Sequence, residues 1–100
     1  MQLYEYTILR QDGTTLVLPP CEKKSFEDIY KILKCDTIEI IPTLYYPEGF
    51  GDVLVYGDEE ARFKETNKRN PHLRVLKGNV SLGEPAEWDV FGDCIKEKEL

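Results

Sequence analysis

One segment of this chain carries the full set of helix signals, and strand-length runs surround it. In residues 25–34, SFEDIYKILK, Ser25 stands where an N-cap belongs, and Glu27 and Asp28 fill the first turn, where acids complement the helix dipole. Phe26, Ile29, Tyr30 and Leu33 follow at i, i+3, i+4 and i+7, one apolar stripe, with Lys31 and Lys34 in the last turn. One good helix among short β-type runs, in a chain of 100 residues, predicts a single α+β domain over 1–100. Its sheet should be small and mostly antiparallel, with five or six short strands and the helix (about 25–34) on one face.

The strand-type runs follow in order. In 3–9, LYEYTIL, the set Tyr4, Tyr6 and Ile8 is apolar or aromatic throughout and is assigned to the core face. Asp12-Gly13 is turn chemistry, and Thr15-Leu16-Val17-Leu18 behind it completes a hairpin that Pro19-Pro20 stops. The near-continuous apolar run of 37–41 suggests a central strand, ended by Pro42. Residues 52–56, DVLVY, are the returning strand, broken by Gly57 before Asp58-Glu59-Glu60. Asn70 capping Pro71 predicts a short helix over 72–76. A short strand is expected over 79–82, a last strand or pair of half-strands over 88–95, and a frayed tail over 96–100.

Charge divides the chain unevenly. The net charge is −6, yet residues 61–77 carry Arg62, Lys64, Lys68, Arg69, Arg74 and Lys77 against Glu65 alone. The acidic remainder disfavours nonspecific nucleic-acid binding by the whole surface. No run approaches the ~18 apolar residues of a membrane span, and the N-terminal MQLYEYTILRQDG lacks the apolar stretch of a signal peptide. A cytoplasmic location is therefore expected. Cys21, Cys35 and Cys94 are odd in number and lack C-x-x-C spacing, the pattern of reduced thiols used as small apolar residues. With His72 they are too scattered for a zinc site, so neither metal nor cofactor is implied.

Candidate chemistry centres on the basic segment. Arg62, Lys64, Lys68, Arg69 and Arg74 suit phosphate or carboxylate oxygens, and Asn67, Asn70 and His72 add hydrogen-bonding groups. The competing reading is internal pairing with Asp58, Glu59 and Glu60 and with the acids of the C-terminal segment. Tyr45, Tyr46 and Phe50 either close one end of the core or stack on a ligand. The three acids read as a solvated turn in preference to a cation site, because sequential carboxylates point apart. His72 has no recognisable nucleophile and carboxylate around it, which disfavours an enzyme.

Several of these residues together resemble a known family. Ile38-Glu39-Ile40-Ile41-Pro42, Val53-Leu54-Val55, Asp58-Glu59-Glu60, Phe63-Lys64, Asn67, Asn70-Pro71 and either Gly78-Asn79-Val80 or Phe91-Gly92-Asp93 follow its order. It is a family of small domains of unknown function found in phages, plasmids and large DNA viruses of algae and protists. The chain departs from it at Ala61-Arg62, where a glycine is typical, and at His72-Leu73-Arg74, which replaces a small-residue helix. The resemblance implies a viral or mobile-element accessory protein, acting in the host cytosol if viral, and no catalytic residue.

Two functional expectations follow. The first is a non-enzymatic accessory domain that binds a macromolecule, in the first place a protein, with the acidic surface as a mimic of nucleic acid in one variant. The alternative is a small-ligand binder that holds an anionic or nucleotide-like molecule on the 62–74 segment.

Overall fold

The computed structural model describes residues 2–41, 53–77 and 86–100, without the side chains of 74–77 and 86–89. Its elements are β1 (Tyr4–Leu9), β2 (Thr15–Val17), α1 (Phe26–Leu33), β3 (Ile38–Ile41), β4 (Val53–Asp58), a 3-10 turn (Ala61–Phe63), β5 (Arg69–Lys77), β6 (Ala86–Phe91) and β7 (Cys94–Glu99). Five strands form an antiparallel sheet in the order β2-β1-β7-β4-β3, and β5 and β6 form a separate two-stranded ribbon. Among the described residues the fold is α+β with one main helix against a mostly antiparallel sheet, as the sequence predicts.

Strand alternation sends side chains to both faces of the large sheet, and both are covered. On one face Tyr6, Tyr56 and Ile95 pack against Ile29 of the helix. On the other, Leu9, Ile41, Val55 and Cys94 meet Leu73 and Val90 of the ribbon. The sheet is thus the middle of three layers.

α1 forms for local reasons. The Ser25 side chain accepts the Asp28 N–H at 3.2 Å, and the Asp28 carboxylate accepts the Ser25 N–H at 3.3 Å, a complete capping box. Of the expected stripe, Ile29 is buried and Tyr30 and Leu33 are half-buried, while Phe26 stays exposed. The helix ends at Lys34, which turns left-handed (φ 54°, ψ 50°) where a glycine usually stands.

Tertiary pairing changes the sequence reading at four places. β3 is an edge strand, because β7 inserts between β1 and β4 and occupies the centre. Residues 96–100 are correspondingly not frayed. Tyr4 to Leu9 pair with Glu99 to Cys94 along the whole of β7, and Leu100 N–H donates to Leu3 O. Gly57 does not break β4 but pairs within it, where a Cβ would come within 2.9 Å of Ile41 Cδ1. Residues 72–76 are strand, not helix. Asn70 Oδ1 does accept the His72 N–H, as a cap would, but β5 bulges there and goes on to pair with β6.

The hairpin at Asp12-Gly13 is present as expected, with Gly13 at φ +94°. The expected pair of half-strands is resolved as β6 and β7, which leave their common turn through Gly92 at φ +77°. That left-handed residue lets consecutive strands enter different layers. The expected strand over 79–82 lies outside the described residues.

Candidate binding surfaces

The basic segment of the sequence is a strap around one end of the sheet. Lys64 Nζ pairs with Asp58 Oδ2 at 2.5 Å, and Asp58 Oδ1 also accepts the Glu60 N–H. That hydrogen bond holds the Lys64 ammonium above its ordinary value, and Asp58 is nearly buried. Asn67 donates to Ala61 O, and the Lys68 N–H donates to Gln11 Oε1. Asn70 is buried, with Nδ2 donating to Leu9 O at 2.8 Å and to Gly92 O at 2.9 Å. His72 Nε2 lies 3.2 Å from Thr14 O. Arg62 is exposed on the 3-10 turn, and Arg69 and Arg74 stand opposite Phe91 and Asp89 in the ribbon. Of the residues proposed from sequence, Lys64 and Asn67 line a common cleft. Tyr45, Tyr46 and Phe50 lie outside the described residues.

That cleft, of about 230 Å³, is also lined by Leu33, Lys34, Asp58 and Asp93. A larger neighbour of about 430 Å³ shares Lys34 and Asp93 and adds Ile8, Arg10, Gln11, Asp12 and Ile32. Together they make a groove along the C-terminal end of α1. Arg10 and Lys34 were not singled out as site residues in the sequence. They are 24 positions apart, and only the return of the β1–β2 hairpin beneath the helix brings them to one groove.

A second surface lies at the N-terminal end of α1. Ile40, Leu54 and Tyr56 share the helix face of β3 and β4, and the Phe26 ring meets the Tyr56 ring edge-on at 6.3 Å. Phe26 is 60% exposed, Ile40 55% and Leu54 38%, so the helix leaves an apolar patch open at this corner. The patch adjoins a free sheet edge. Glu59 N–H donates to Thr37 O, which marks that pair as hydrogen-bonded. Antiparallel alternation then assigns the β4-facing bonds to Glu39 and Ile41 and turns the N–H and C=O groups of Ile38 and Ile40 outward. Among the described residues no strand pairs with that edge. Asp36, Glu59 and Glu60 are exposed at its other end.

Beneath the patch sits a buried carboxylate. Glu97, opposite Leu54 on β7, accepts the Tyr6 hydroxyl at 2.7 Å, and that hydroxyl in turn accepts the Lys24 N–H at 2.8 Å. Burial first, then the Glu97 carboxylate, pushes the Tyr6 and Tyr56 hydroxyls above their ordinary value. Burial does the same to the Cys35 and Cys94 thiols, which suits packing and not nucleophilic attack. All three cysteines are free.

Among the described residues no group of three or more His, Cys, Asp or Glu is placed to hold a metal ion, and no helix is long and apolar enough to cross a membrane. The chain matches no family model, and no curated protein or solved structure is significantly similar to it.

Proposed function

We propose that this is a non-catalytic accessory domain whose function is to bind a partner protein, and that the partner lays an extended segment along the outer edge of β3. The observation that carries this is the coincidence of a strand edge left unpaired among the described residues with the exposed Phe26, Ile40 and Leu54 side chains. Strand addition draws affinity from the outward N–H and C=O groups of Ile38 and Ile40, and specificity from the apolar corner beside them. An open edge of this kind is a liability that proteins ordinarily cover or charge.

Charge narrows the partner. Asp36, Glu59 and Glu60 stand exposed at the start of β3, so the docking segment carries Lys or Arg at one end and apolar residues at the other. An accessory role in a virus or mobile element rests on the family resemblance of the sequence alone.

Selection from a displayed library of random extended peptides tests the reading. The expected winners are short segments with alternating apolar residues and a basic end, whose binding weakens with salt. Ile40→Pro removes an outward donor without touching the β4 ladder, and Leu54→Ser removes part of the apolar corner. Each should weaken a selected peptide about tenfold or more with the fold retained, since an order of magnitude corresponds to about 1.4 kcal/mol. Failure to enrich any peptide, or peptides indifferent to both substitutions, would overturn the proposal.

A further inference from the structure

We propose that the outer edge of β2 pairs with the same strand of a second copy of this chain, joining two sheets across a two-fold axis at Leu16. This surface is independent of the β3 edge, from which β1, β7 and β4 separate it.

The hydrogen bonds of the first hairpin define the edge. Leu18 N–H donates to Tyr6 O at 2.8 Å and Arg10 N–H donates to Thr14 O at 3.0 Å, so those pairs are hydrogen-bonded. Antiparallel alternation makes Ile8 and Leu16, midway between them, the next such pair. The N–H and C=O groups of Thr15 and Val17 therefore point away from β1, and among the described residues no strand receives them. All three β2 side chains are exposed, with Leu16 at 43% and Val17 at 56%. An uncharged edge of apolar and β-branched residues is one that proteins ordinarily charge or cover.

The spacing selects a copy of the same strand as the occupant. Thr15 and Val17 flank Leu16 symmetrically. In an antiparallel pair about Leu16, each Thr15 meets the second copy's Val17 and exchanges both N–H···O bonds with it. Leu16 then faces its own counterpart in a non-hydrogen-bonded pair, the kind in which side chains approach most closely. Leu16 lies on the helix face, opposite Ile8, and Thr15 and Val17 lie on the ribbon face, opposite Leu9 and Thr7. The joined sheet therefore keeps both helices on one side.

Charge agrees with this pairing. Exposed Arg10 and Asp12 stand at the turn end of β2, and exposed Glu22 and Lys23 stand past Pro19-Pro20 at the other. Antiparallel pairing sets each end against the opposite one, so acid meets base in both halves of the interface. β3 lacks this fit. Its outward residues flank Glu39, and symmetric pairing there would set two carboxylates directly opposite each other. Pro19 and Pro20 confine the β2 pairing to a short stretch. The interface is smaller than that of a permanent dimer, so the dimer forms and dissociates with protein concentration.

Sedimentation velocity of the full chain at rising concentration tests this. A reversible shift from monomer towards dimer is expected. Leu16→Glu should weaken the association at least tenfold with the thermal midpoint held, since the side chain it replaces is exposed. Oxidation with a glutathione couple reads the register separately. Leu16→Cys should cross-link two chains at least tenfold faster than Val17→Cys, because only position 16 meets itself at the axis. The wild type, whose Cys35 and Cys94 are buried, sets the background. A chain still monomeric at its highest soluble concentration, an association unchanged in Leu16→Glu, or equal cross-linking at 16 and 17 would overturn the proposal. A dimer abolished by Ile40→Pro would do the same, by placing self-association on β3. Peptide binding at the β3 edge should be unaltered in Leu16→Glu, which keeps the two readings separable.

Discussion

At the scale of single residues, Asn70 does more to hold the molecule than the sequence reveals. Its amide joins the end of β1, the β6–β7 turn and the bend of β5. The sequence presents the same residue as a helix cap and a candidate ligand group, because the Asn-Pro pair is local and the two carbonyls it serves are not. Asn70→Ala should cost about 3 kcal/mol, from leaving buried backbone groups without partners. In a domain of this size that lowers the thermal midpoint by more than about 10 °C in a melt. The buried hydroxyls and thiols carry a pH signature of their own. Tyr6, Tyr56, Cys35 and Cys94 all have folded values raised from the ordinary 10.0 and 9.0. The unfolded chain therefore releases these protons first, so the stability they contribute is complete below about pH 9 and is lost as pH climbs beyond it. Urea midpoints measured from pH 7 to 11 should fall on the alkaline side, and Cys94→Ala should make that fall shallower.

At the scale of elements, legibility followed locality. α1 could be read because its capping box and apolar stripe lie within ten consecutive residues, and the first hairpin because Asp12-Gly13 fixes its own turn. β5 was misread because Asn70 does cap the His72 N–H, while the pairing with β6 that overrides a helix comes from residues 86–91. The part of β7 beyond Ile95 reads from sequence as a loose tail because its alternating charges look solvated. In fact the alternation is a strand period, with Ile95 and Glu97 under the helix and Lys98 exposed. β7 joins β1 to β4, so it is the element the sheet can least lose. Deleting residues 95–100 should abolish the cooperatively folded state, seen as collapse of amide dispersion and loss of a thermal transition. A deletion variant that still melts cooperatively would show that β1 and β4 can pair without it.

At the scale of the molecule, the sheet is covered on both faces, and among the described residues no strand pairs with its edges. α1 shields Tyr6, Tyr56 and Ile95 and reaches β3 at Ile38, while one corner keeps Phe26, Ile40 and Leu54 exposed beside a strand edge that no described residue pairs. None of this could be read before the strand order was known, since the same apolar run in 37–41 suits a centre or an edge. The basic segment shows the reverse. It is conspicuous in sequence, but the fold turns Lys64, Asn67 and Asn70 towards internal partners. The most direct test of the central claim is amide hydrogen exchange in β3 with a selected peptide bound. The account predicts that Ile38 and Ile40, whose N–H groups face outward, gain protection, while Glu39 and Ile41, already paired to β4, change little. Unaltered exchange at Ile38 and Ile40 in a saturated complex would contradict it.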